Sequence, residues 1–228
     1  MNSSFDKCWE GKYSNEAFYR NHYPWSFIVS HTLGSLKKNN IGRRLKILEI
    51  GCGTANNLMF LAKEGFDVYG IDGSATAINY AESWAKQEGV EIDLTTGDFS
   101  KLPYENNYFD FVFDRAALSL SNYEGIKRTI SEIHRVINTT GEVFLNPYSD
   151  HCTSFYKTPD DDGTVCSIEY GTVLGATGQV TFLGLGELKK ILKNSWTIKS
   201  LKHVTETEMA TPHREVHAEW HVILEPIK

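Results

Sequence analysis

Glu49, Gly51, Gly53, Asp72, Asp98 and Asp114 are the residues of this sequence whose types and spacing point to chemistry. The two glycines lie in Glu49-Ile50-Gly51-Cys52-Gly53-Thr54-Ala55-Asn56, directly after an apolar run. Lacking a Cβ, each can take a positive φ and let the backbone approach a ligand closely. The helix expected from Asn56 to Lys63 would turn its free N–H groups and positive dipole end back toward whatever rests on that turn. Asp72 closes a second apolar run, where a carboxylate can accept hydrogen bonds from both hydroxyls of a ribose. The plainer reading of Asp72 is a carboxylate at a helix N-terminus. Together these residues describe a nucleotide-type site. The dinucleotide fingerprint asks for Gly or Ala at the position that Asn56 occupies, because a small residue there lets helix and strand pack closely.

These side chains need a scaffold. Arg44 to Ile50 reads as a strand buried on both faces, since Ile47, Leu48 and Ile50 form a nearly continuous apolar run. Asp67–Asp72 is a second strand, followed by a helix with Ser74 as N-cap that Gly89 ends. Val90–Thr95 is a third strand and Tyr108–Asp114 a fourth, and a helix and a turn lead into a fifth that ends near Leu145. Alternating strands and helices imply right-handed crossovers and a parallel sheet. Such sheets bind ligands at the carboxyl ends of their strands. Glu49, Gly51, Asp72, Asp98 and Asp114 all fall at such ends.

The stretch acid-x-Gly-x-Gly-x-small, with Glu49 before Gly51 and Ala55 where a third glycine often sits, resembles the first motif of the class I S-adenosylmethionine-dependent methyltransferases. Thr96-Gly97-Asp98-Phe99 resembles that family's adenine-binding motif, and the segments ending in Asp114 and Leu145 resemble its fourth and fifth strands. The resemblance is strong from about residue 45 to 147. It implies a Rossmann-like α/β sheet of seven strands, the last hairpin antiparallel, with helices on both faces and an N-terminal helical lid. The implied cofactor is S-adenosylmethionine, held by Glu49, Gly51, Gly53, Asn56, Asp72, Gly73, Ser74, Asp98, Phe99 and Asp114. The implied activity is in-line methyl transfer; the motifs are silent about the acceptor, which the Arg, amide, phenol and carboxylates after the fourth and fifth strands suggest is a small polar molecule.

The N-terminal stretch carries Phe5, Trp9, Tyr13, Phe18, Tyr19, Tyr23, Trp25 and Phe27, several at helical spacing, with Pro24 breaking the helix in two. Two readings stay open for residues 1–40: an amphipathic extension packed on the sheet domain of residues 41–228, or a lid whose Tyr13, Tyr19, His22 and Trp25 cover the cofactor. Residues 148–184 are irregular, with a turn at 158–163, and should form one wall of the acceptor pocket. A helix from Gly186 and two closing strands, Trp196–Leu201 and Val216–Leu224, complete the chain. On the acceptor side the expected residues are Arg115, Asn146, Tyr148, Asp150 and His151. His151 is the first choice of base, ahead of His22 and His217. Arg115 would pair with an anionic group of the acceptor or with Asp114 or Asp150.

Composition narrows the partners. A net charge of −6 argues against general affinity for nucleic acid or an anionic membrane. The basic cluster Lys37, Lys38, Arg43, Arg44 and Lys46 reads as a solvated loop or a local binding patch. Cys8, Cys52, Cys152 and Cys166 have no metal-type spacing and suit reduced thiols. With no apolar run of membrane-spanning length and no signal-peptide core, a cytoplasmic protein is expected, with no metal and with a homodimer left open. A nicotinamide oxidoreductase and a non-catalytic cofactor-binding subunit are the competing functions.

Overall fold

The computed structural model describes residues 7–15, 20–39, 42–155, 163–166, 174, 177–212 and 214–228. Phe5, Phe18, Tyr19 and the turn expected before Gly163 lie outside the described residues.

A sheet of seven strands forms the centre of the molecule. Its strands are β1 (Lys46–Ile50), β2 (Asp67–Asp72), β3 (Asp93–Thr96), β4 (Phe109–Asp114), β5 (Ile137–Leu145), β8 (Trp196–Thr207) and β9 (Val216–Pro226). The order across the sheet is β3-β2-β1-β4-β5-β9-β8. The first five strands are mutually parallel, while β9 runs antiparallel to both β5 and β8. The remaining pair, β6 (Thr164–Cys166) and β7 (Gln179–Thr181), makes a small antiparallel sheet within the stretch expected to be irregular.

Strand residues alternate between two cores, as the period of a strand requires. Leu48, Ile50, Phe109 and Val112 pack with Ile126, Ile130 and Ile133 of α6 (Tyr123–Val136) and with Leu188 and Leu192 of α7 (Leu185–Leu192). Ile47, Phe111 and Phe113 face the other way. They meet Leu58 and Leu61 of α4 (Asn56–Lys63), Ile78 and Ala81 of α5 (Ala75–Glu88), and Ile28 of α2 (Ser26–His31).

The N-terminal part comprises α1 (Cys8–Asn15), then α2, which widens into a π-helical turn over Thr32–Leu36 and ends in α3 (Lys37–Asn39). Ser74 caps α5 by accepting a hydrogen bond from the Ala77 N–H, and Gly89 closes that helix in the left-handed region at φ 65°. The expected turn before β5 is absent: α6 passes directly into the strand at Ile137. Strand β8 runs to Thr207, beyond the expected Leu201, because β9 offers partners along its whole length.

The basic cluster is largely occupied within the fold. Lys37 pairs with Glu64, Arg43 with Asp110 and Arg44 with Asp67, while the Lys46 ammonium lies over the Tyr108 ring. Those contacts favour the solvated-loop reading. Among the described residues no helix is long and apolar enough to cross a membrane.

Candidate active site

Strand order reverses between β1 and β4: the chain proceeds outward through β2 and β3 on one side, then through β4 and β5 on the other. A crevice opens at the carboxyl ends of strands on either side of such a switch. The glycine turn sits in it. The Gly51 and Cys52 N–H groups both donate to the Ile71 carbonyl, at 2.8 and 3.1 Å. Gly51 has φ +65°, and a Cβ there would lie 2.2 Å from the Ala117 Cβ. Both the conformation and the contact therefore demand glycine. Gly53, at φ +52°, leaves room for the Tyr13 hydroxyl, which would sit 2.6 Å from a Cβ.

Two buried carboxylates organise the turn in different ways. Asp72 accepts from the Gly53 N–H and the Ser74 N–H, each at 2.8 Å, so its two oxygens tie the turn to the start of α5. Burial pushes Asp72 upward, and those two backbone bonds oppose the shift. Glu49 accepts a single hydrogen bond, from Asn57 Nδ2 at 2.6 Å, while its Oε2 is buried with no hydrogen-bond partner. Burial raises the Glu49 carboxyl well above its ordinary range, and the charges of Asp114 and Asp72 push the same way. A buried carboxylate oxygen of this kind suits a cation.

The N-terminal segment covers the turn. Glu10 of α1 accepts hydrogen bonds from the Ser74 hydroxyl at 2.6 Å and from Thr76, and these hold its carboxyl below the usual range. Asn57 binds Glu49 with its amide N–H and accepts the Trp25 N–H at 2.9 Å with its oxygen, joining the cover to the buried acid. Asn56 donates to the Tyr23 carbonyl at 2.6 Å. His22 is directed elsewhere: its ring packs against Trp84 and meets the Tyr80 hydroxyl on α5.

Two cavities flank Tyr13. The smaller, about 200 Å³, is bordered by Glu49, Gly51, Gly53, Asn57 and Trp25. The larger, about 480 Å³, begins at Gly51, Asp72, Gly73 and Phe99 and continues to Arg115, Tyr148 and His217. Trp9, Leu120 and Leu174 give this second part an apolar lining.

At its far end three basic side chains converge on one carboxylate. Glu219 of β9 lies 3.5 Å from Arg115 Nη1, 3.4 Å from His217 Nε2 and 2.6 Å from His221 Nε2. Burial resists ionisation of Glu219, yet His217, His221 and Arg115 outweigh it and hold the carboxyl far below its ordinary range. The neighbouring Cys152 sulfur and then Glu219 raise His217 to about 9. The Arg115 guanidinium also stacks 3.6 Å from the centre of the Trp25 ring, so the cover and the far end share a contact.

Several expected placements require correction. His151 is exposed and its ring stands edge-on to His203, outside the cavity lining, because the chain after β5 turns away at Ser149. Asp150 does not line the cavity either and accepts a hydrogen bond from the Ser149 hydroxyl. Asn146 is buried, its amide donating to the Trp220 carbonyl and so holding β9 to β5. Arg115 pairs with Glu219, not with Asp114 or Asp150. Asp114 is fully buried and accepts from the Leu118 and Asn146 N–H groups, with burial pushing its carboxyl up to about 6. Asp98 accepts the Ser100 N–H and lies outside the cavity lining, whereas Phe99 borders it. The Ser74 hydroxyl is occupied by Glu10 and the Ala77 N–H. Tyr148 does line the cavity, and burial pushes its phenol up to about 12. Glu219 and Glu10 were not foreseen. Glu219 did leave a signal, since His217, Glu219 and His221 alternate along one face of a strand.

Strand order, glycine turn and the acid closing β2 define a Rossmann-like methyltransferase fold. Residues 47–141 match the family described as "Methyltransferase domain". An uncharacterized methyltransferase of Schizosaccharomyces pombe is 31% identical over 126 residues, which cover 55% of this chain and 81% of that one. A demethylmenaquinone methyltransferase of Geobacillus stearothermophilus is 30% identical over 128 residues, covering 54% of this chain and 51% of that one. The chain thus spans about half the length of the demethylmenaquinone methyltransferases it matches. A methyltransferase structure from Methanosarcina mazei superposes with TM-score 0.66 at 20% identity, covering 84% of this chain and 96% of that one, which shows the shared fold. The chain belongs to the class I S-adenosylmethionine-dependent methyltransferases, and S-adenosylmethionine is its cofactor. The residues present fit that group: a buried carboxylate oxygen without a partner, a glycine floor and a second acid at the end of β2.

Proposed function

We propose that this chain transfers a methyl group to a small molecule that presents a polar acceptor atom in the larger cavity. The observation that carries the reading is the continuity of that cavity, which runs from Gly51 and Asp72 to Arg115, Tyr148 and His217. When bound, S-adenosylmethionine supplies an electrophilic methyl group that an acceptor atom takes by in-line displacement.

The chain's own residues hold and shield the reactants. Asp72 keeps lone pairs for ribose hydroxyls after serving two backbone N–H groups. Glu49 Oε2 receives the cofactor's ammonium, and Gly51 and Gly53 let the backbone come near. Phe99 borders the base. The described part of residues 1–40 acts as a cover on the catalytic domain, with Trp9, Tyr13 and Trp25 excluding water. Tyr148 keeps its proton near neutral pH and serves as a hydrogen-bond donor to the acceptor.

Calorimetric titration with S-adenosylmethionine and S-adenosylhomocysteine tests the cofactor half. The Asp72→Ala variant should bind both about ten- to a hundredfold more weakly, the equivalent of about 1.5–3 kcal/mol. Turnover across a panel of polar acceptors and a demethylated naphthoquinol tests the other half. Wild-type affinity in Asp72→Ala, or no turnover with any small molecule, would contradict the reading.

A further inference from the structure

At the far end of the larger cavity, basic side chains outnumber the carboxylates they contact among the described residues. Arg115, His217 and His221 share the one carboxylate of Glu219, and Arg115 and His217 both border the cavity. The guanidinium has five N–H donors in a planar fork. Among the described residues its nearest carboxylate is Glu219, at 3.5 Å, which is long for a charged hydrogen bond. Trp25 stacks on one face of the guanidinium at 3.6 Å and keeps the fork in plane. The Tyr148 ring stands edge-on to His217, with centroids 5.3 Å apart, and limits the imidazole's swing.

We propose that the acceptor carries a carboxylate on an apolar or aromatic body. This group docks between Arg115 and His217, and Glu219 is the residue that positions both. The inference rests on the methyltransferase reading and names the substrate class of the same site. Trp9, Leu120 and Leu174 supply surface for the body. A planar fork beside a second cation matches two oxygens of one acidic group.

The other charges around the cavity do not cancel this end. Asp72 belongs to the glycine turn and is engaged by two backbone N–H groups. Glu10 is held by Ser74 and Thr76 on α5. Glu206 lies opposite His217 on β8 and is exposed, so water screens it. Tyr148 and the Cys152 sulfur complete the surroundings of His217. With its proton retained to about pH 9, His217 acts as a fixed cation near neutrality and not as a base.

The test is calorimetric binding to the full chain saturated with S-adenosylhomocysteine, using matched probes: 1-naphthoate against 1-naphthamide, and 3-phenylpropanoate against 3-phenylpropanamide. At least one acid should bind tenfold or more tightly than its amide at pH 7. Its affinity should then fall between pH 8 and 10 as His217 loses its proton. Arg115→Met and His217→Gln should each reduce the acid preference below threefold, and Glu219→Gln, which frees both cations and removes one of the groups that raise His217, should weaken it less and shift the fall in acid affinity to lower pH. Binding of S-adenosylhomocysteine within threefold of wild type checks that each variant is folded. Should a variant fail that check, the wild-type ratio and its pH profile decide. Undetectable acid binding, equal affinities within both pairs, or an acid preference unchanged to pH 10 would overturn the proposal. If S-adenosylhomocysteine binds and no acid preference appears, the proposal alone falls. If S-adenosylhomocysteine itself does not bind, the methyltransferase reading falls and takes the proposal with it.

Discussion

At the proposed cofactor end of the crevice, backbone N–H groups from the segments that follow two adjacent parallel strands donate to the Ile71 carbonyl and to Asp72. At the proposed acceptor end, Arg115, His217, His221 and Glu219 hold one another through side chains brought from β9 and from the loop after β4. The first arrangement tolerates almost no change in backbone shape, because its partners are main-chain atoms. The second can be retuned by single side-chain substitutions without disturbing the sheet. A fold of this design can keep one cofactor while its acceptor varies.

The sharpest way to break this contrast is Gly51→Ala. The new Cβ would meet the Ala117 Cβ at 2.2 Å while φ stays at +65°, so the turn or the segment after Arg115 must move. Left-handed backbone alone costs a non-glycine residue about 1–2 kcal/mol. Cofactor affinity should fall more than a hundredfold by calorimetry, with a lower melting temperature. A variant that binds normally would show that the turn is softer than its hydrogen bonds indicate.

A smaller effect concerns Glu49. Its carboxyl is raised well above the ordinary range by burial, then by the charges of Asp114 and Asp72. A bound ammonium favours the ionised form, so binding should release a proton and tighten as pH rises through the elevated pKa of the free protein. Titrations in buffers of different ionisation enthalpy should give heats that differ in proportion to the proton released. Identical heats would mean that Glu49 is already ionised or stays neutral.

The smallest expected change is at the cover. Glu10→Ala removes the hydrogen bonds from Ser74 and Thr76 on a side chain at the surface of the contact. Loss of bonds to a charged group is worth about 1.5–3 kcal/mol when buried, and water replaces part of it here. Cofactor affinity should drop about threefold to tenfold, and hydrogen exchange should rise in Cys8–Asn15. Unchanged exchange would mean that α1 is held by its other contacts, among them Ser14 with Thr76.

Much of the cofactor end was legible from the sequence because its signals are local. An apolar run, two glycines and a helix from Asn56 lie within one short stretch, and the helix spans Asn56–Lys63 as its residues suggested. Asp72 closes β2 for the same reason, since the carboxyl end of a buried strand is set by where the apolar run stops. The strand boundaries that moved, at β3 and β8, are those decided by neighbours in the sheet.

The acceptor end was legible only in part. Arg115, Tyr148 and His217 were in view as single residues, yet Glu219, which links Arg115 to His217, is one polar residue of an alternating strand with no local mark of its partners. His151 looked well placed after β5, but the chain turns at Ser149, which binds Asp150 and meets His203 of β8, and the imidazole is carried outward. Asn146 likewise became a tie between strands. The sequence alone thus determined the elements, their order and the chemistry of the glycine turn, because covalent neighbours and residue periodicity govern all three. The tertiary structure decided which distant charges meet, since the positions of β9, of the loop after β4 and of the N-terminal cover depend on packing between segments far apart in the sequence.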